Sequence, residues 1–180
     1  DSPDMPTSCW RPEWNRFPWK PDNEAAEDWR RGQTGVRIVD AGMREMYATG
    51  QMHNRVRMIT ASYLTKHLLT DWKLGLDWFA RCLTDWDAAS NAMNWQWVAG
   101  CGPDASPYFR IFNPDTQAEK FDPKARYQDH WMRPDAPGAH DFAAAAPRSW
   151  NIDLSRRALP ALSLAEGRAR ALTAYEQVKS

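Results

Sequence analysis

A chain of 180 residues is long enough for one domain with its own core, and 43% hydrophobic with 26% charged residues is an ordinary globular balance. Lys and Arg total 23 and Asp and Glu total 23, so bulk attraction makes no case for nucleic-acid binding, and any basic surface is a local patch offset by acid elsewhere. No apolar run approaches a membrane span, and three cysteines (Cys9, Cys82, Cys101) without CxxC spacing argue against a disulfide framework or a zinc site, so a reducing, cytoplasmic setting fits.

In chain order, residues 1–33 carry Pro3, Pro6, Pro12, Pro18 and Pro21 and read as an irregular lead-in anchored by Trp10, Trp14, Phe17, Trp19 and Trp29. The chain opens without Met inside this Pro-rich stretch and has no signal-peptide pattern, which suggests a fragment or processed product. Helical structure is expected from about Thr34. Val36, Val39, Met43 and Met46 recur at helical spacing, and Gly50 sits where a C-terminal cap belongs. A second helix is expected over about 52–70, buried nearly all round, with Val56, Ile59, Tyr63 and His67 on one face. A third covers about 74–83, with Leu76, Phe79 and Leu83 facing inward. A fourth opens at Asp87, whose carboxylate can cap the N–H of Ala89 or Ser90. Residues 101–123 read as a long structured loop and 133–149 as a low-complexity connector. The last helix begins at Ser163, which forms a capping box with Glu166, and Leu172, Tyr175 and Val178 would pack it down. No window alternates as a strand does, so the fold class is all-α. It divides into a lead-in (1–33), a helical core (34–132), a connector (133–162) and a C-terminal helix (163–180).

Eleven tryptophans are the compositional outlier. Each is bulky and carries an N–H in want of a partner. Three of them fall in DWDAASNAMNWQW (85–97), among two carboxylates and three side-chain amides. Asp85 and Asp87 before a helix are either a cap and a surface charge, or the edge of a site for a polarised ligand at the helix's positive end. Asn91, one turn past Asp87, can face the same ligand as donor and acceptor. Trp95 and Trp97 point to different sides, one to the core and the other to a cavity where it can stack on a flat group. In HNRVRM (53–58), Asn54, Arg57 and Met58 share a helical face while Arg55 points away. An arginine on a largely buried helix needs a partner, and Asp85 and Asp87 are natural candidates. In SPYFRIFNPDTQAEK, Arg110, Gln117 and Lys120 are either solvated loop groups or a grip on phosphates. The four histidines have no metal-ligand spacing, so no metal is expected, and there is no GxSxG, GxxxxGK or GxGxxG.

Taken together, TGVRIVDAGMREMYATG, MHNRVRMITASYL, LTDW, DWDAASNAMNWQW and SPYFRIFNPDTQAEKFDP resemble the photolyase/cryptochrome family in its helical FAD-binding domain. The five pieces occur in family order and spacing over about 17–130, and the terminal helix matches more loosely. The resemblance implies a C-terminal fragment of that domain, with FAD as cofactor. Any antenna pigment belongs to an N-terminal domain absent here. HNRVRM looks like the cyclobutane pyrimidine dimer photolyases, and Asn91 matches the asparagine facing the flavin where plant cryptochromes usually carry Asp. By the same resemblance, Asn54, Arg57, Asp85, Trp86, Asp87 and Asn91 hold the flavin. Asn54, Arg55, Met58 and Trp97 wall the dimer pocket. Arg110, Gln117 and Lys120 meet the DNA backbone, and Trp95, Trp72 and Trp19 form an electron-transfer chain. The implied activity is that of a deoxyribodipyrimidine photo-lyase: light-driven repair of UV-damaged DNA by a monomeric protein with no membrane association. The stretch that grips the flavin pyrophosphate in the family is missing, so this chain alone is expected to hold FAD poorly and to be inactive by itself. A cryptochrome-type blue-light receptor and a flavin-less helical module are the alternatives.

Overall fold

The computed structural model describes residues 17–85, 87, 91, 94, 95, 98 and 111–179, and among these the regular structure is helical, with one isolated parallel bridge between Lys20 and Thr70. Helix α1 (Glu24–Arg30) lies inside the expected irregular lead-in and corrects it. Only Ala26 and Trp29 of α1 are buried, too few to print an apolar period. The Asn23 side chain starts the helix by accepting from the Ala26 N–H.

Helix α2 (Arg37–Thr49) buries Val39, Met43 and Met46, as the spacing required, with Val36 buried at its start and Ile38 added to the core, and ends at Gly50 with φ 75°. Only glycine fits there, because a Cβ would lie 2.5 Å from Thr84 Cγ2. Helix α3 (Asn54–Ser62) does not run unbroken to Thr70. It widens into a π-helical turn (Tyr63–His67), closed by Leu68 N–H donating to the Tyr63 carbonyl at 3.0 Å. Within this turn Thr65 Oγ1 donates to the Ala61 carbonyl, the kind of back-bond that bends helices. The turn leaves Lys66 fully buried, with its ammonium donating to the Val98 carbonyl.

Helix α4 (Trp72–Cys82), capped by Asp71, buries Leu76 and Phe79, and Leu83 follows them inward. Two expectations fail next. Within the loop expected over 101–123, Pro114–Phe121 is a helix, α5, started by Asn113 Oδ1 accepting from the Asp115 and Thr116 N–H groups. After α6 (Arg126–Met132), the expected connector contains α7 (Pro137–Ala145), which buries Gly138, Ala139 and Phe142. Helix α8 (Leu164–Lys179) begins with Glu166 N–H donating to Ser163 Oγ at 3.1 Å. Val178 is buried and Tyr175 half-buried, but Leu172 is exposed; Ala171 and Ala174 take its place in the core.

Helix α2 is the hub, touching α1, α3, α5, α6 and α7, while α8 lies on the π-helical turn. Among the described residues no helix is long and apolar enough to cross a membrane.

Candidate functional site

The start of α3 carries the cluster. His53 caps it, with Nδ1 accepting from the Arg55 N–H, which exposes Asn54 and Arg55 at the first turn. Arg57 is fixed from two sides. Its Nε donates to the Met52 carbonyl at 2.7 Å, and one Nη donates to both oxygens of Asp85 at 3.0 and 2.9 Å. Asp85 is exposed, so the pair adds little stability by itself. Its consequence is a guanidinium held in one orientation.

Asn91, Asn94, Trp95 and Val98 are helical and fall at i, i+3, i+4 and i+7, one face of a helix. Asn91 N–H donates to the Asp87 carbonyl at 2.9 Å, and Asn91 Nδ2 donates to the same oxygen at 2.9 Å. That use of Nδ2 leaves Oδ1 as an acceptor without a hydrogen-bond partner among the described residues. The buried Lys66 ammonium on the Val98 carbonyl ties this helix to the π-helical turn. The caps expected from Asp87 to Ala89 or Ser90 lie outside the described residues.

These two faces enclose a cavity of about 240 Å³ lined by Asn54, Arg57, Met58 and Ala61 of α3, Phe79 of α4, and Asn91, Asn94, Trp95 and Val98. Its walls are apolar, with three amides and one guanidinium at the edge. That donor set suits a flat heteroaromatic ring with a polar rim. The volume falls just below the range of about 300–1,000 Å³ usual for a whole small-molecule site. The residues present therefore fit the ring portion of a flavin rather than an entire dinucleotide. A second recess of about 370 Å³, lined by His53, Asn54, Arg55, Met58, Ile59, Phe112 and Gln117, adjoins the first through Asn54 and Met58. Across it Arg55 donates to Gln117 Oε1 at 3.3 Å, and Lys120 stands exposed on the same helix as Gln117.

Of the expected site residues, Asn54, Arg57, Met58, Asn91 and Trp95 converge on the cavity, and Asp85 is bound to it through Arg57. Asp87 is tied to Asn91 through its carbonyl, which accepts from the Asn91 amide. Trp86, Trp97 and Arg110 lie outside the described residues. Trp95 is buried edge-on against Phe79 (centroids 4.8 Å) and Trp29 (6.2 Å). Its indole rests on Gly75, where a Cβ would fall 2.2 Å from Cη2. Trp72, fully buried, is one turn earlier on that face of α4. Trp19 is brought alongside by Lys20 N–H donating to the Leu69 carbonyl and Asp71 N–H to the Lys20 carbonyl. Backbone hydrogen bonds thus bring the segment of Trp19 next to the start of α4. Sequence reasoning missed Ala61, Phe79, Asn94 and Val98 as lining; the i, i+3, i+4, i+7 register counted from Asn91 contains the last two.

The family model described as the FAD binding domain of DNA photolyase matches residues 1–177. The chain is 44% identical over 185 residues to the deoxyribodipyrimidine photo-lyase of Agrobacterium fabrum, covering 98% of this chain and 39% of that protein. It is 42% identical over 170 residues to that of Escherichia coli, covering 92% and 35%. Among solved structures, a bacterial class III photolyase from Agrobacterium tumefaciens superposes with TM-score 0.83 at 44% identity, over 98% of this chain and 38% of that one. A cryptochrome from Synechocystis superposes with TM-score 0.78 at 34% identity, over 94% and 37%. The chain therefore spans about two fifths of the length of such relatives.

Proposed function

Because this chain belongs to the DNA photolyase family, through the family's FAD-binding domain, we propose that it supplies the flavin- and lesion-holding face of a light-driven enzyme that repairs cyclobutane pyrimidine dimers. The observation that carries this reading is the single cavity to which Asn54, Arg57 and Met58 of α3 contribute together with Asn91 and Trp95. Reduced FAD, when bound, supplies the photoexcited electron that opens the dimer. The residues of the chain bind and orient. Arg57, locked by Asp85 and the Met52 carbonyl, offers its remaining N–H groups to the polar rim of the ring. Asn91 offers Oδ1 to a ring N–H. Asn54, exposed at the mouth, reaches both flavin and lesion. Met58 and Trp97 wall the extruded bases, whose unstacking is least costly when they are damaged. Arg55, Arg110, Gln117 and Lys120 take the DNA backbone, and Trp95, Trp72 and Trp19 relay electrons inward from the surface. On this reading the intact protein works as a cytoplasmic monomer on UV-damaged DNA, with no membrane attachment.

The test uses the full-length protein that carries this chain. It should bind FAD and, under blue light, restore thymine-dimer oligonucleotides. Asn91→Ala should lower the reduction potential of the bound flavin, and Trp95→Phe should abolish photoreduction while sparing repair by enzyme reduced beforehand. An unchanged potential in the first variant, or unchanged photoreduction in the second, removes that residue from its role. A protein that binds FAD yet ignores damaged DNA is instead a blue-light receptor, the reading favoured by the likeness to the Synechocystis cryptochrome.

A further inference from the structure

A separate cavity of about 400 Å³ lies at the start of α2, bounded by the end of α6 and by residues 154–158. It shares no lining residue with the Arg57 cavity. Four arginines line the second cavity, Arg37, Arg44, Arg156 and Arg157, against one carboxylate, Asp40, among its described lining residues.

The walls are built rather than incidental. Gly35 has φ 85°, and a Cβ on it would fall 2.6 Å from the Pro160 nitrogen, so the two backbones meet directly. Asp40 accepts from Thr34 N–H (2.8 Å), Thr34 Oγ1 (2.7 Å) and Gly35 N–H (3.0 Å), which holds the loop before α2 in place. Its carboxylate is thereby engaged by three protein donors. The first turn of α2 has no side-chain cap, leaving the positive end of the helix on this cavity.

Arg44 is only 6% exposed. Its Nε donates to the Gly32 carbonyl and its Nη1 to the Trp131 carbonyl, each at 3.2 Å, and its guanidinium covers the Phe142 ring at 5.2 Å. Its Nη2 has no hydrogen-bond partner among the described residues. Arg37 is paired with Asp129 at 2.6 Å, whereas the exposed Arg156 and Arg157 form no ion pair among the described residues. A fixed buried guanidinium with a spare donor, two exposed guanidinium forks (Arg156 also in the field of Asp28 and Asp153) and a helix start without a side-chain cap together make an anion receptor. Its volume lies within the range of about 300–1,000 Å³ for small-molecule sites, more than orthophosphate fills. Met132, Pro134 and Leu154 offer apolar surface for the remainder.

We propose that this cavity binds a small organic phosphate, its phosphoryl oxygens held by Arg44, Arg156 and Arg157 and its carbon skeleton laid on Met132, Pro134 and Leu154. The class is a soluble phosphomonoester, independent of the flavin-side reading.

The experiment is calorimetric titration of the full-length protein in FAD-saturated buffer with adenosine 5′-monophosphate, inorganic phosphate and adenosine. The monophosphate should bind more tightly than inorganic phosphate, and adenosine should not bind. Arg156→Ala combined with Arg157→Ala should weaken the monophosphate about tenfold or more, through loss of charge-assisted bonds. Lysine at both positions should recover part of that loss, because charge returns without the planar fork. Both residues are exposed, and the flavin absorbance of each variant should match the parent. Absence of binding by the monophosphate, binding by adenosine alone, or an affinity unchanged in the double alanine variant overturns the proposal.

Discussion

Asp40 is fully buried, and that burial pushes its carboxyl up to about 6 despite the bonds from Thr34 and Gly35. The stability it gives is full below the unfolded value of 3.8, where it is neutral in both states, and is lost as pH rises toward 6. His67 has the opposite sign. Burial first, then the charges of Lys66, Arg170 and Arg168, press its imidazole down to about 4, so its contribution is full above 6.5 and is lost as pH falls toward 4. The two windows overlap and oppose. Asp40→Asn removes one of them. Relative to this variant, the native protein should lose up to about 3 kcal/mol between pH 4 and 6.5 and change no further above that. The Asn amide also forgoes the Gly35 bond, an offset that does not vary with pH. Urea midpoints from pH 4 to 8 read the difference; a difference independent of pH refutes the assignment. Nothing in TGVRIVDAG marks Asp40 as buried, because its partners are two N–H groups and one hydroxyl of its own loop, from Thr34 and Gly35. Arg57 was legible for the complementary reason, since a guanidinium on a buried helix demands a carboxylate and DWD was within reach.

Helix α4 shows how an element sets the geometry of the cavity. Gly75 lies beneath Trp95, and the Cβ of an alanine would fall 2.2 and 2.6 Å from Cη2 and Cζ3 of the indole and 2.8 Å from Leu64 Cδ2. Trp95 is itself wedged by Phe79 and Trp29, whose Nε1 donates to the Thr60 carbonyl at 3.0 Å, so the ring cannot retreat freely. Gly75→Ala should therefore lower stability by about 1–3 kcal/mol through overpacking, beyond the gain of roughly 1 kcal/mol that alanine brings to a helix interior. It should also slow flavin photoreduction by displacing Trp95. A variant as stable as the parent in thermal unfolding would refute the packing argument. Helices α2 and α4 were readable because large apolar residues recur on their buried faces. Helices α5 and α7 were not: besides the lone Phe142 they bury only Pro114, Ala118, Gly138 and Ala139, and their start signals, Asn113-Pro114 and Pro137, look like loop chemistry out of context. The buried face of α8 was misjudged for a related reason. A Cβ on Gly167 would meet His67 at 2.8 Å, so the helix lies close on the π-helical turn and admits a face of small residues, Gly167, Ala171 and Ala174, rather than Leu172.

For the whole molecule, zero formal charge limits long-range attraction to DNA, so affinity on the proposed reading depends on a few local cations beside the cavity. The site was legible in advance where two chemistries had to meet, and Asn54, Arg57, Met58, Asn91 and Trp95 do line one cavity. The apolar floor was not, because Ala61, Phe79 and Val98 read as ordinary core. Outside the cavity, Lys120 is exposed on α5 and forms no salt bridge among the described residues, whereas Arg55 is engaged with Gln117. Lys120 should thus act as a sequence-blind phosphate contact. Lys120→Ala should reduce the slope of log affinity against log salt by about 0.7–0.9 and weaken damaged and undamaged DNA alike. Arg55→Ala should do more, because it also frees Gln117 and opens the recess that joins Asn54 and Met58. Fluorescence anisotropy with both DNAs at several salt concentrations separates the cases. A Lys120→Ala slope equal to the parent's places the DNA path elsewhere on the surface; a loss confined to damaged DNA moves Lys120 from backbone contact to lesion recognition.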